Sequence, residues 1–380
     1  MPTPEPIESE RATAPAGTSR RDFLRHALAA GLAVPALGGV LGACSGATPR
    51  AAAPAAGAPA ASSRGARASV TFVLDWIPFG RHAPYYVALD KGYYGEAGLD
   101  VTIQQGTGTT PGLRALVAGQ AQFNFNDIGS MIAARSQDDL DLEALACIYQ
   151  KAPHTIFFIK GQGIERPKDL EGKKIAYSPG DSPKAMFPAF AKANGIDESK
   201  ISWASVDPNS KNSVLLNHQV DAMMTYILTR PVLEKAAQDG DQIGSFVYGD
   251  WGADFYANGL IARRDVVAPQ PDLVRGFVKA TLRGFEYTFA NPSEAVAILH
   301  KYQPQLDEDS ALKEIDIIKD LAINDDTTRN GLGHMNPEKM QQTRDLTITY
   351  LGLKGDVPVD SLYTNAFLPR DAPAAAGGRT

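Results

Sequence analysis

Between Val70 and Gln105 the sequence spells one complete strand–loop–helix–strand unit. An apolar run, Val70 to Leu74, ends at Asp75 and Trp76, and Pro78 and Gly80 then break the strand. His82 leads into a segment in which Tyr85, Val87, Ala88, Lys91 and Tyr93 fit a helix. Gly98 closes it before a second strand, Val101 to Gln105. Parallel strands joined by a helix need a sheet with helices laid on its faces. Ligands in such open sheets bind where strand carboxyl ends meet helix amino ends. Asp75, Trp76 and His82 therefore stand at the mouth of a site, in an aromatic and polar mix suited to a flat polar ligand.

The pattern continues with a helix over Thr109–Gln120, a strand over Gln122–Asn126, a helix over Ile128–Ser136 and a strand over Leu142–Tyr149. Thr155–Ile159 follows too closely for a crossover helix and is expected to run antiparallel, with Gly161-Gln162-Gly163 as a hinge. From Arg166 the pattern restarts with strands at Lys174–Tyr177, Ile201–Val206 and Ala222–Thr225. The helices between and after them are Pro183–Asn194, Ser210–Asn217 and Arg230–Asp239. Phe246–Tyr248 is short and strand-like, Ala257–Ala262 crosses back, and the chain from Asp265 onward is mostly helical. Strands alternating with helices give an α/β fold of two βαβ lobes joined by two crossovers. The expected division is lobe 1 over 70–162, lobe 2 over 163–261, the helical second part of lobe 1 over 262–370, and a disordered tail over 371–380.

The 380 residues carry a formal charge of −6, with 44% hydrophobic and 21% charged residues. That acidic balance excludes a nucleic-acid binder built on a basic patch. The only cysteines are Cys44 and Cys147, with no CxxC and no HExxH, so no metal site and no resident cofactor are expected. Cys147 falls within an apolar run and reads as a small core residue.

The N-terminus reads as an address. Arg20 and Arg21, followed by Phe23-Leu24, precede an apolar stretch from Ala27 to Ala43 that is too short for a stable membrane span. Adjacent arginines before such a core match a twin-arginine export signal, against a Sec-type signal with a basic flank. Leu41-Gly42-Ala43-Cys44 resembles a lipobox, which makes 1–43 the signal peptide and Cys44 the lipidated mature N-terminus. The following segment, through residue 69, is nearly all Ala, Pro, Gly, Ser and Arg and reads as a disordered tether. It would hold the body roughly 25–30 Å from a membrane.

Several short motifs recur in a definite order: Asp75-Trp76-x-Pro78, His82, Pro84, Lys91-Gly92-Tyr93 and Glu96-x-Gly98-Leu99-Asp100. Gly119-Gln120-Ala121, Leu170-x-Gly172-Lys173-Lys174-Ile175 and Gln219-Val220-Asp221-Ala222 follow. In that order they resemble the NMT1/THI5-like family over about Val70 to Leu353. The resemblance implies a type II periplasmic binding protein fold with its ligand between the lobes, closing to signal occupancy to a permease. Its members bind sulfonates, nitrate or thiamine-pyrimidine precursors, and some are thiamine pyrimidine synthases. The implied partners are a small molecule, an ABC permease and ATPase, and a membrane through the lipid anchor, with the protein a monomer. The synthases use a lysine that carries pyridoxal phosphate and a histidine four residues on. Those positions fall on Asn126 and Ser130 here, and neither Lys nor His occurs from Ala121 to Arg135. The cysteine-rich run of the synthases has no counterpart either. A binding protein is therefore expected rather than an enzyme, with a sensor on the same scaffold as the other class.

The candidate ligand residues follow from these positions. Trp76 offers a ring face, His82 a donor and Asp75 an acceptor for an exocyclic amine. Asn126, Asp127 and Ser130 stand where the third strand meets its helix. Ser178, Gly180, Asp181 and Ser182 form the matching turn of the second lobe, before Pro183. Tyr226, Trp251 and Asp254 are expected to complete the cage. Arg81 is expected to point away from it. An acidic and aromatic set favours a neutral or amine-bearing heteroaromatic, such as a formylamino- or hydroxymethyl-pyrimidine, over an alkyl sulfonate.

Overall fold

The computed structural model describes residues 67–138, 140–353 and 357–369. The expected export signal with Arg20 and Arg21, the expected lipidation site Cys44, nearly all of the expected tether and the expected tail lie outside the described residues.

Among the described residues, ten strands make two five-stranded sheets. The first contains β1 (Ala68–Val73), β2 (Leu99–Gln104), β3 (Phe123–Asp127) and β4 (Leu142–Cys147). The second contains β5 (His154–Ile159), β6 (Lys174–Tyr177), β7 (Ser202–Ser205), β8 (Ala222–Tyr226) and β9 (Ile243–Val247). β10 (Asn258–Arg263) returns to the first. The spatial orders are β2-β1-β3-β10-β4 and β7-β6-β8-β5-β9. In each sheet three parallel strands are followed by one antiparallel strand, β10 or β5, that enters directly from the other sheet.

This exchange corrects the expected lobe boundaries. Thr155–Ile159 is antiparallel, but it pairs with β8 and β9 in the second sheet, so the chain crosses between Cys147 and His154 rather than at Gly161–Gly163. The two glycines, both at positive φ, instead shape the turn that follows β5. Likewise, Asn258–Ile261 belongs to the first sheet, so the return crossing precedes residue 258. The two crossings are tied together: Ala257 N–H donates to Tyr149 O at 3.0 Å, and Ile148 and Tyr149 N–H both donate to Asn258 O at 2.9 Å.

Side-chain alternation gives each sheet two apolar faces. Phe72, Phe123, Phe125 and Leu260 point into one core with the helices Pro271–Ala290 and Glu308–Ala322, while Val73, Ala144, Cys147 and Ile261 point into the other. In the second sheet, Ile156, Phe158 and Met224 alternate with Phe157, Ile159 and Met223 in the same way. Cys147 is a buried free thiol, and burial pushes it well above its ordinary range.

One close approach sets the position of the loop after β1. A Cβ on Gly80 would lie 2.4 Å from Ala311 Cα and 2.7 Å from Ala311 O, so the loop rests directly on the backbone of the helix Glu308–Ala322. Gly80→Ala should therefore force the two apart and cost about 1–3 kcal/mol. A denaturation midpoint equal to that of the wild type would contradict this.

Candidate functional site

The helix amino ends of both sheets converge on a cleft of about 550 Å³ of empty space, counted to its open mouth. The first lobe contributes Asp75, Trp76, Phe79, Arg81 and Thr109. The second contributes Asp181, Ser182, Pro183, Pro208, Lys211, Asn212, Thr225, Tyr226 and Thr229. Thr110 N–H donates to Gly180 O at 3.2 Å, joining the rims of the two lobes.

Asp75 follows β1 and is buried. Its Oδ1 accepts from His82 Nε2 at 2.7 Å and its Oδ2 from Asn258 Nδ2 at 2.9 Å. Arg81 Nη2 lies 3.5 Å from Oδ2. Burial alone would raise this carboxyl, but the Arg81 charge and the His82 hydrogen bond outweigh it and hold it below the usual range. His82 Nδ1 accepts from Phe79 N–H at 2.9 Å, which leaves the proton on Nε2 for Asp75. Burial and the Arg81 charge push the His82 ring down to about 4, so it is neutral at pH 7. The chain of contacts continues into the second lobe, where Tyr226 Oη donates to Asn258 Oδ1 at 2.8 Å.

Asp181 anchors the other side. Its carboxylate accepts from Ser178 N–H at 3.1 Å and Lys184 N–H at 3.2 Å, and it pairs with Lys211 Nζ at 2.6 Å. Both partners are buried. The Lys211 ammonium also lies 5.1 Å from the centre of the Trp76 ring, across the cleft.

Asp75, Trp76, Asp181, Ser182 and Tyr226 thus line the cleft as the sequence suggests, and Gly180 sits at its rim. The other candidates are placed elsewhere. His82 is buried behind Asp75 and orients it, with both ring nitrogens engaged. Asn126 is fully buried, donates to Thr109 O at 2.9 Å and accepts from Asp127 N–H at 2.8 Å. Asp127 Oδ1 accepts from Ser130 N–H at 2.6 Å, and Oδ2 lies 3.3 Å from His154 Nε2. His154 Nε2 in turn hydrogen-bonds Ser182 Oγ. The hydroxyls of Ser130 and Ser178 are buried with no hydrogen-bond partner among the described residues, outside the cleft lining. Trp251 is 39% exposed and packs on Phe246, and Asp254 pairs with Lys339 Nζ at 2.7 Å; neither reaches the cleft.

Arg81 reverses its expectation, since it is buried and lines the cleft. Lys211 went unnoticed in the sequence, although its place could be read. It opens the helix after β7, as Thr109 opens the helix after β2, so the internal repeat puts both at the same mouth. With Arg81 and Lys211 counted, each cleft carboxylate has a cation, and the acidic character inferred from sequence disappears. Among the described residues no group of three or more His, Cys, Asp or Glu could hold a metal ion, and no helix is long and apolar enough to cross a membrane.

The NMT1/THI5 like family model matches residues 80–295, more than half of the chain. The protein belongs to this family. The chain is 27% identical over 334 residues to the riboflavin-binding protein RibY of Chloroflexus aurantiacus, covering 86% of this chain and 94% of that one. It is 28% identical to the formylaminopyrimidine-binding protein of Halalkalibacterium halodurans, covering 62% and 70%. A 4-amino-5-hydroxymethyl-2-methylpyrimidine phosphate synthase of Legionella pneumophila is 23% identical, covering 63% and 75%. Among solved structures, the alkanesulfonate-binding protein SsuA of Xanthomonas axonopodis pv. citri superposes with a TM-score of 0.63 at 14% identity, covering 78% and 98%. The nitrate-binding protein NrtA of Synechocystis PCC 6803 gives 0.58 at 14%, covering 79% and 87%. The fold of this NMT1/THI5-like protein is that of a periplasmic binding protein.

Glu314 supports the Arg81 side of the cleft from the helix Glu308–Ala322. Its Oε2 accepts from Arg81 N–H at 3.1 Å, and burial pushes its carboxyl up to about 7 from 4.5 despite the Arg81 charge. Between pH 4.5 and 6.5 the folded chain keeps a Glu314 proton that the unfolded chain releases, so this group makes stability fall as pH rises. His82, lowered from 6.5 to about 4, acts in the opposite sense, because the unfolded chain binds the extra proton. Glu314→Gln keeps an acceptor for Arg81 N–H and removes only the falling contribution. Its stability should then climb with pH across that window more steeply than the wild type, by on the order of 1 kcal/mol per pH unit. Parallel pH profiles of the two thermal midpoints would contradict this.

Proposed function

We propose that the protein is the solute-binding component of an ABC importer and takes a planar nitrogen heteroaromatic, of the thiamine-pyrimidine-precursor kind, into the interlobe cleft. The observation that carries this reading is the balance of the lining. Trp76, Phe79 and Tyr226 supply ring surface, and the two cations, Arg81 and Lys211, each stand beside a buried carboxylate. A cleft for nitrate or an alkanesulfonate needs uncompensated positive donors, whereas a neutral ring needs apolar walls and a few placed polar groups. The riboflavin- and formylaminopyrimidine-binding relatives are named for ligands of the same ring chemistry.

A binding role is favoured over synthase chemistry by the residues at the synthase positions. Asn126 has no amine that could form a Schiff base, and Ser130 has no imidazole. The same reading places the body outside the cytoplasm, exported by the twin-arginine signal and held to a membrane by lipid on Cys44, beside its permease and ATPase.

Calorimetric titration with hydroxymethyl- and formylamino-pyrimidines, riboflavin, an alkanesulfonate and nitrate tests the ligand class. At least one heteroaromatic should bind, and Trp76→Ala should weaken it by about tenfold or more. Tighter binding of a sulfonate or nitrate would overturn the assignment. In cells, Cys44→Ser should move the protein from the membrane fraction to the soluble exported fraction, and a wild-type protein already soluble would rule out the anchor.

A further inference from the structure

We propose that Asp75 and Arg81 together read one edge of the bound ring, and that this edge must carry a hydrogen-bond donor next to an acceptor, as in an amide, an imide or an aminopyrimidine. The inference rests on the heteroaromatic reading above and narrows it.

Arg81 is the group that asks for a ligand. Its side chain is 5% exposed and lines the cleft. A guanidinium has five N–H donors and no acceptor. Here Nη2 lies 3.5 Å from the nearest Asp75 oxygen, longer than a good hydrogen bond, and the buried Nε has no partner among the described residues. Buried donors without acceptors are costly, and structures keep them mainly where something else satisfies them. The group is also held in place. Its backbone N–H is fixed by Glu314, and its guanidinium lies 5.1 Å from the Phe79 ring centre and 5.9 Å from that of Tyr226. Gly80 seats the whole loop on Ala311.

Asp75 complements it. His82 donates to one oxygen and Asn258 to the other, and each carboxylate oxygen can accept twice. Beside the waiting donors of Arg81 there is thus acceptor capacity on Asp75. A ring edge that presents N–H or NH₂ beside C=O or a ring nitrogen satisfies both at once. A sulfonate or nitrate offers acceptors only and would set an oxyanion against the Asp75 carboxylate. A ring lacking the N–H would offer the carboxylate no donor, and one with it blocked by methylation would set a methyl group against it.

The test compares affinities for two parent rings, riboflavin and 4-amino-5-hydroxymethyl-2-methylpyrimidine, with N3-methylriboflavin and the 4-dimethylamino pyrimidine. Wild-type protein should bind a parent roughly ten- to a hundredfold more tightly than its blocked analogue. Arg81→Lys, which keeps the charge beside Asp75 but loses the fork, should weaken the parent by a similar factor with little change in thermal midpoint. It should also narrow the gap between parent and analogue, which a purely structural role of Arg81 would leave intact. Should that variant fail to fold, the wild-type comparison of parent and blocked ring decides alone. Equal binding of parent and blocked ring would overturn the edge-reading role while leaving the heteroaromatic cleft standing. Binding of neither parent would overturn both.

Discussion

The structure of the cleft depends on one buried carboxylate. Asp75 collects a hydrogen bond from His82, another from Asn258 and the charge of Arg81. An isolated charge at that depth would be strongly unfavourable, and one stripped of a single partner nearly so. The loop after β1, the hinge strand β10 and, through Tyr226, the end of β8 are therefore held to a common point. His82 contributes by staying neutral with a defined tautomer, since a second proton would turn its acceptor for Phe79 N–H into a donor.

The architecture explains why such a hub can report on the ligand. β5 and β10 are exchanged between sheets, so the two crossings run side by side and hydrogen-bond one another. Asn258 is the first residue of β10 and touches groups from both lobes. The two rims also touch, through the Thr110–Gly180 hydrogen bond and through Lys211 beside the Trp76 ring. Residues from both lobes line the cleft, and each sheet carries apolar clusters on both faces.

Much of this was legible in the sequence, for a physical reason. In parallel βαβ units the residues just after strands are committed to the mouth, which places Asp75, Trp76, Asp181, Ser182 and Tyr226 without knowledge of any contact. What the sequence could not tell was pairing across distance. Arg81 looked like a surface charge because the groups that hold it inside, Asp75 beside its guanidinium and Glu314 at its backbone N–H, are respectively six residues and most of a chain away. His82 and Asn126 looked available, but their polar atoms are taken by Asp75, Phe79, Thr109 and Asp127. Trp251 and Asp254 follow β9, an edge strand whose end lies on the cleft side of its sheet, but Trp251 packs on Phe246 and Asp254 pairs with Lys339, so neither lines the cleft. The sheet to which Thr155–Ile159 belongs was misjudged because strand direction is visible in spacing, whereas partner choice is not.

The most direct measurement of the central claim is native mass spectrometry of the protein purified without refolding, so that any resident ligand is carried along. The account predicts a noncovalent adduct whose mass is that of a nitrogen heteroaromatic and which leaves on mild activation. An alkanesulfonate or nitrate adduct, or a covalent pyridoxal phosphate on a lysine, would contradict it.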